Sequence, residues 1–339
     1  MARKKSRSKS KKQRLNTFLQ LILWVFLIVC LVAAFLWGIQ TYTSATWKKQ
    51  ERVNIVINSN PIVVLSLHPA EKRLYVLPIP QNTYVEVSHG YGSYRLGAVY
   101  ELGSIEKKDT LFVETVEEFL GIPIDGWITF TQAQGRKTEL SQEEIQNTML
   151  RFGTLSTFIQ SKGFTSLSSL HVMTNLTLFD RVRLWFEVRQ LRSDQIRFGS
   201  LKDQMIISDL VLADGSIAFS ADPSRVEVVV QELFQDEQIR KENLSVRILN
   251  GTGKPGLSQR YARFVSNLGA HVVEIGNAER SDVEKTYIIT TKPKIKDAYT
   301  TERLAKLLNS SIMEEISDKG LSDIVIIIGA DYWKRLYEK

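Results

Sequence analysis

The stretch SVRILNGTGKPGLSQRYARFVSNLGAHVVEIGNA, residues 245–278, decides the fold of the C-terminal part of this chain. Apolar residues over 244–249 read as a strand, 257–268 carries apolar residues at helical spacing, and 271–275 reads as a second strand. Further strands at 286–290 and 323–328 and a helix at 301–308 complete a small α/β domain over 244–339.

The turn after the first strand holds Asn250 and then GTGKPG, in which Gly251, Gly253 and Gly256 make a formal GxGxxG; Glu274 follows 23 residues after Gly251. That spacing is similar to a dinucleotide-binding turn. Three features weigh against it: the domain is short for two mononucleotide halves, Pro255 removes an amide that would cradle phosphate, and the domain is expected to face away from the cytoplasm. The better reading is a structural strand-to-helix turn, whose glycines allow positive φ and close packing.

At the other end of the chain, residues 1–17 carry eight Lys or Arg and no Asp or Glu. With eight of the 44 basic groups there, the remainder is nearly balanced by the 37 acidic ones, so the formal charge of +7 marks a tail and not a nucleic-acid-binding surface. Residues 18–39, FLQLILWVFLIVCLVAAFLWGI, contain no charge. They match the ~20 residues a helix needs to cross ~30 Å of hydrocarbon. The basic flank places the N-terminus in the cytoplasm and the bulk of the chain outside it, at the cell membrane with a single pass. A cleaved leader predicts an apolar stretch of only roughly 7–15 residues. Seventeen cytoplasmic residues are too few for a helix-turn-helix, so no specific nucleic acid is expected. Cys30, the only cysteine, lies inside the apolar span, which leaves the outer region without disulfides and points to a bacterial envelope. The four histidines, His68, His89, His171 and His271, are scattered singly; no metal site is predicted from them.

Between these ends, 40–52 reads as a polar stalk and 53–235 as a mixed α/β domain. Strands are predicted at 62–67, 74–79, 83–87, 127–130 and 205–212. Helices are predicted at 96–102, 110–120, 142–152 and 179–191, the second ending at Gly121 with Pro123 beyond. The charged stretch 231–242 closes the domain. Arg181, Arg183, Arg189, Arg192 and Arg197 fall at helical spacing beside Leu184, Trp185 and Leu191, which reads as a solvated face.

The segments IVVLSLHPAEKRLYVLPIPQNTYVEV at 62–87, GYGSYRLGAVYELG at 90–103, EEFLGIPIDGWITF at 117–130 and TNLTLFDRVRLWFEVRQL at 174–191 resemble the LytR-CpsA-Psr family. Its members carry glycopolymers from a polyprenyl pyrophosphate lipid to the cell wall with a divalent metal. The stretch 244–332, from the strand before GTGKPG to the closing DIVIIIGADY, resembles the C-terminal domain of LytR-type proteins, an envelope-binding or accessory module.

Pyrophosphate chemistry needs guanidinium forks for the oxygens and carboxylates for the metal. Where the family's motif has Arg-Asp, this chain has Gln81 and Asn82; where an upstream Arg and Asp are expected before the first strand, it has Asn58 and Asn60. The stretch 131–144 is too short for the family's further arginine elements. The resemblance with these departures implies a membrane-anchored envelope protein with a catalytically degenerate first domain that binds or scaffolds. It implies no catalytic residue, no metal ligand and no cofactor; its partners are membrane lipid through the anchor and peptidoglycan or an envelope glycopolymer. The alternative is an active phosphotransferase with a rearranged site, which would require Mg²⁺.

Overall fold

The computed structural model describes residues 51–130, 172–202, 206–314 and 322–337, together with residues 20, 23, 24, 26–29, 32, 47, 141 and 143–147. Among the described residues no helix is long and apolar enough to cross a membrane. The expected span 18–39 falls largely outside them; its described positions, Gln20, Leu23, Trp24, 26–29 and Val32, are helical with exposed side chains. The basic tail 1–17 lies outside the described residues, as does most of the expected helix at 142–152, of which 143–147 are helical.

The first unit is built on a mixed six-stranded sheet. Strands β1 (Val53–Asn58), β2 (Ile62–His68) and β3 (Arg73–Ile79) form an antiparallel meander. Outside it, β6 (Gly126–Phe130) runs parallel to β1, β7 (Val172–Thr174) antiparallel to β6, and β8 (Ile196–Phe198) parallel to β3. The sheet order is β7-β6-β1-β2-β3-β8. Every residue of β2 is buried, as a central strand covered on both faces must be.

Alternation along the strands makes two apolar layers. Val56, Val64, Leu77 and Ile79 face one core, where α1 (Val99–Ile105), α2 (Leu111–Leu120) and α4 (Pro223–Phe234) pack beside a second sheet. That sheet has the order β5-β4-β10-β9, from β4 (Thr83–Val87), β5 (Gly92–Arg95), β9 (Ile207–Val211) and β10 (Ile217–Ala221). Ile55, Val63, Leu65 and Val76 face the other core, closed by Trp47, Ile145 and the Leu184 and Val188 side of α3 (Leu178–Arg189). A Thr177–Asp180 capping box starts α3. As its sequence predicts, α2 stops at Gly121, which is left-handed at φ 64°.

The second unit begins with α5 (Glu237–Glu242), whose Ile239 belongs to this unit's own core. Its sheet has the order β12-β11-β15-β13-β14, from β11 (Ser245–Asn250), β12 (His271–Asn277), β13 (Tyr287–Thr290), β14 (Ser311–Glu314) and β15 (Ile324–Ile328). The helices α6 (Leu257–Asn267), α8 (Tyr299–Leu308) and α9 (Ala330–Tyr337) share its core; the short α7 (Pro293–Lys296) adds Ile295. The expected elements of this unit are present. α5, α7, β14 and α9 add to them.

Candidate functional site

β1 and β3 both run antiparallel to β2, so their C-terminal ends share one edge of the large sheet. β6 ends there too, with Thr129 opposite Asn58. This edge brings together all four positions singled out in the first domain. Asn58 is buried, while Asn60 is half-buried in the following turn and joined to Pro61 by a cis peptide bond. Asn58 closes β1 and does not precede the first strand; β1 is a strand the sequence reading placed only as the domain's start.

Gln81 and Asn82 form the turn into β4, closed by the Thr83 amide donating to the Pro80 carbonyl at 3.0 Å. The Gln81 side-chain Nε2 donates to the Ser59 carbonyl at 3.0 Å and so ties this turn to the β1–β2 turn. The Gln81 and Asn82 carbonyls accept from the Gly97 and Phe219 amides at 3.0 and 2.9 Å. A Cβ at Gly97 would lie 2.8 Å from Gln81 Cβ, so only glycine leaves room for that side chain. Two buried hydroxyls at this end, on Thr83 and Thr129, have no hydrogen-bond partner among the described residues.

Four carboxamides in these places can donate and accept hydrogen bonds, but they carry no charge. They do not fit a divalent cation bridging phosphates, which selects carboxylate oxygens. Among the described residues, no group of three or more His, Cys, Asp or Glu is placed to hold a metal.

Three of the five arginines of and after α3 serve other contacts. Arg183 donates to the Trp47 carbonyl at 2.9 Å with its guanidinium over the Trp47 ring, Arg189 lies over Trp185, and Arg192 pairs with Asp194 at 3.2 Å. Arg189, Arg192 and Arg197 are exposed as expected, whereas Arg181 and Arg183 are half-buried and not on a fully solvated face.

The glycine turn of the second unit is closed by its own bonds. Asn250 Oδ1 accepts from the Thr252 amide and hydroxyl at 3.0 and 2.9 Å, and Asn250 Nδ2 donates to the Lys254 carbonyl at 2.7 Å. The Gly251 amide donates to the Ile328 carbonyl and the Lys254 amide to Thr252 Oγ1. These amides are therefore not presented to a phosphate. Gly251 has backbone oxygen 2.9 Å from where a Cβ would stand, and Gly256 is left-handed at φ 81°; Gly253 meets neither constraint.

The turn launches α6, and α6 joins the two units. Arg263 donates to the Glu118 and Phe119 carbonyls and pairs with Glu227; Asn267 Nδ2 donates to the Leu120 and Gly121 carbonyls at 3.2 Å. Carbonyls that α2 leaves unsatisfied at its end are thus capped from the second unit. Nearby, buried Arg303 donates to Glu51 and the Arg52 carbonyl at 3.3 Å and stands 3.7 Å from Asp125. Arg52 itself donates to Ser66 Oγ at 2.6 Å and to the Leu233 and Gln235 carbonyls, and burial holds its guanidinium down to about 10. Trp47, Glu51 and Arg52, from the stretch expected as a stalk, are thus packed against folded structure. No local sequence signal announces these long-range partners.

Residues 243–332 match the family described as LytR cell envelope-related transcriptional attenuator. A stretch of 83 residues, 24% of the chain, is 29% identical to the polyisoprenyl-teichoic acid–peptidoglycan teichoic acid transferase TagU of Bacillus cereus; the match spans about a quarter, 26%, of that relative. Among solved structures, Bacillus subtilis TagV is similar over 55% of this chain and 97% of its own, at 19% identity and TM-score 0.42. A structure of YwtF (TagT) with bound octaprenyl pyrophosphate lipid is similar over 55% of this chain and 90% of its own, at 17% identity and TM-score 0.37.

Proposed function

We propose that this chain, whose residues 243–332 match the LytR cell envelope-related family, is a non-catalytic binding or scaffolding protein of the cell envelope related to the LytR-CpsA-Psr proteins. In this reading it is anchored by a single membrane helix at 18–39, with its folded units outside the cytoplasm. Its partners are membrane lipid and an envelope glycopolymer or peptidoglycan.

The observation that carries the proposal is the bond from Gln81 Nε2 to the Ser59 carbonyl. At the place where pyrophosphate chemistry needs a guanidinium, a neutral amide fastens two turns together. Asn58, Asn60 and Asn82 complete a set able to hydrogen-bond sugar hydroxyls but not to neutralise a diphosphate. The unpartnered hydroxyls of Thr83 and Thr129 support the same preference for a neutral, hydroxylated ligand.

A second reading, an active Mg²⁺-dependent phosphotransferase moving a glycopolymer from a polyprenyl pyrophosphate lipid to the wall, is favoured by the transferase named among the relatives. The two part in one experiment: the full chain in lipid nanodiscs is titrated with a polyprenyl pyrophosphate, with and without Mg²⁺, beside a Gln81→Arg, Asn82→Asp variant. The proposal expects no Mg²⁺-dependent binding by the unaltered chain and a gain in the variant. Mg²⁺-dependent binding by the unaltered chain establishes the second reading instead.

A further inference from the structure

A cleft of about 60 Å³ opens where the two units meet, between the end of α2 and the paired helices α6 and α9. On the first wall, His89 is buried and its backbone is left-handed at φ 63°, a conformation that side-chain-bearing residues seldom adopt. Its Nε2 is 2.7 Å from Glu114 Oε2, while its Nδ1 has no hydrogen-bond partner among the described residues. Tyr261 of α6, which also lines the cleft and is only 1% exposed, likewise carries a hydroxyl without a partner among them. Two buried polar atoms left unmatched on residues that line one cleft are an incomplete hydrogen-bond set, which a ligand or ordered water ordinarily completes.

The remaining polar groups define the chemistry of that ligand. Glu118 is paired with Arg260 at 2.5 Å and Glu117 with Arg335 at 3.9 Å, so the charges across the cleft largely cancel. An ion would gain little from such a balanced field. A neutral molecule with several hydroxyls meets donors on one side and carboxylate acceptors on the other. Phe264, Leu307 and Leu336 line the rest and suit the C–H face of a ring. The volume is several times the roughly 10–15 Å³ needed for one water, enough for one face of a single ring and not for a chain.

We propose that this cleft between the units is a binding site for a neutral pyranose, a terminal or single sugar residue. The site shares no residue with the motif end of the large sheet and stands or falls separately from the function proposed for it.

The test uses the full chain in nanodiscs with methyl β-D-glucopyranoside and N-acetylglucosamine as probes and inorganic phosphate as the ionic control. Saturation-transfer NMR reports contact, and titration gives affinity. Transfer to a pyranose is expected, with about tenfold weaker binding in Tyr261→Phe and in Glu114→Gln, the loss a polar contact typically produces. Lys296→Ala, an exposed position on α7 outside both proposed sites, is expected to keep the signal, so a loss in the two cleft variants is specific to the cleft. Tyr261→Phe is expected to unfold at the same temperature or higher, because its hydroxyl has nothing to lose in the free protein. The proposal is overturned by absence of transfer to both sugars at millimolar concentration. It is equally overturned by binding that Tyr261→Phe and Glu114→Gln leave unchanged, or by a response to phosphate alone.

Discussion

At the edge of the large sheet, the neutral Gln81 carboxamide bonds one turn to its neighbour beside Asn58, Asn60 and Asn82, whereas at the junction of the units Arg52, Arg263 and Arg303 reach carbonyls and carboxylates far away in sequence. The difference concerns where this protein uses charge. Family resemblance leads one to seek guanidinium groups at the first place, for phosphate oxygens; the buried ones are at the second, where their acceptors are protein oxygens. A buried guanidinium with a full set of acceptors is hard to replace, because its removal uncovers each acceptor. A half-exposed amide leaves little behind. The buried guanidinium groups of the junction should therefore govern stability, and the amides of the sheet edge should contribute little to it.

The harshest way to break this comparison is Arg52→Met. The substitution keeps much of the stem but uncovers Ser66 Oγ and the Leu233 and Gln235 carbonyls, and we expect a loss of about 3 kcal/mol in urea unfolding of the full chain in detergent. An unchanged midpoint would refute a structural role for the buried charge. Arg263→Ala is next: it removes the caps on the Glu118 and Phe119 carbonyls and the Glu227 pair, at an expected cost of about 2 kcal/mol by the same measurement.

The same contrast explains what was legible in the sequence. Periodicity reveals β2, the stop of α2 at Gly121 and the strand–turn–helix around Asn250, because each is set by neighbours in the chain. β1 is harder to see as a strand because Asn54 and Asn58 interrupt its apolar residues. Asn54 is tolerated in the interior only because it bonds Ser66 and the Pro123 carbonyl, 12 and 69 residues away. α4 lies outside the helices read from periodicity although it carries a local signal: Asp222 before Pro223 is an N-cap followed by proline in the first turn. For the site, the four amide positions could be located by resemblance, and the tie from Gln81 to Ser59 could not. Nor could the cleft, since His89 and Tyr261 belong to different units.

A gentler probe of the junction is pH. Burial pushes the Glu117 carboxyl up to about 7, offset in part by the Ile124 amide donating to it and by Arg335. The folded state then holds this proton over a range in which the unfolded chain, with its ordinary carboxyl, has released it. The contribution of Glu117 to stability is highest below about pH 4.5, falls as pH rises towards 7, and levels off above that. Partial exposure of Glu117 limits the effect to about 1–2 kcal/mol. Glu118 and Asp125, also raised by burial, slope the same way, so the diagnostic is the difference between the unaltered chain and Glu117→Gln, which should be flatter. If the two profiles superimpose, Glu117 is better hydrated than the junction requires.

The smallest effects are expected at the sheet edge. Gln81→Ala deletes one amide-to-carbonyl bond, worth about 0.5–1.5 kcal/mol. Asn82→Ala removes an exposed side chain while its backbone carbonyl keeps the Phe219 amide, so a change within about 0.5 kcal/mol is expected. Both variants should unfold cooperatively near the midpoint of the unaltered chain. A glycopolymer assay on these folded proteins then separates the possibilities. Weakened binding by Asn82→Ala at unchanged stability makes the edge a recognition surface. A large loss of stability from either substitution would show instead that the edge is as structural as the junction, and the division of labour between neutral and charged regions would collapse.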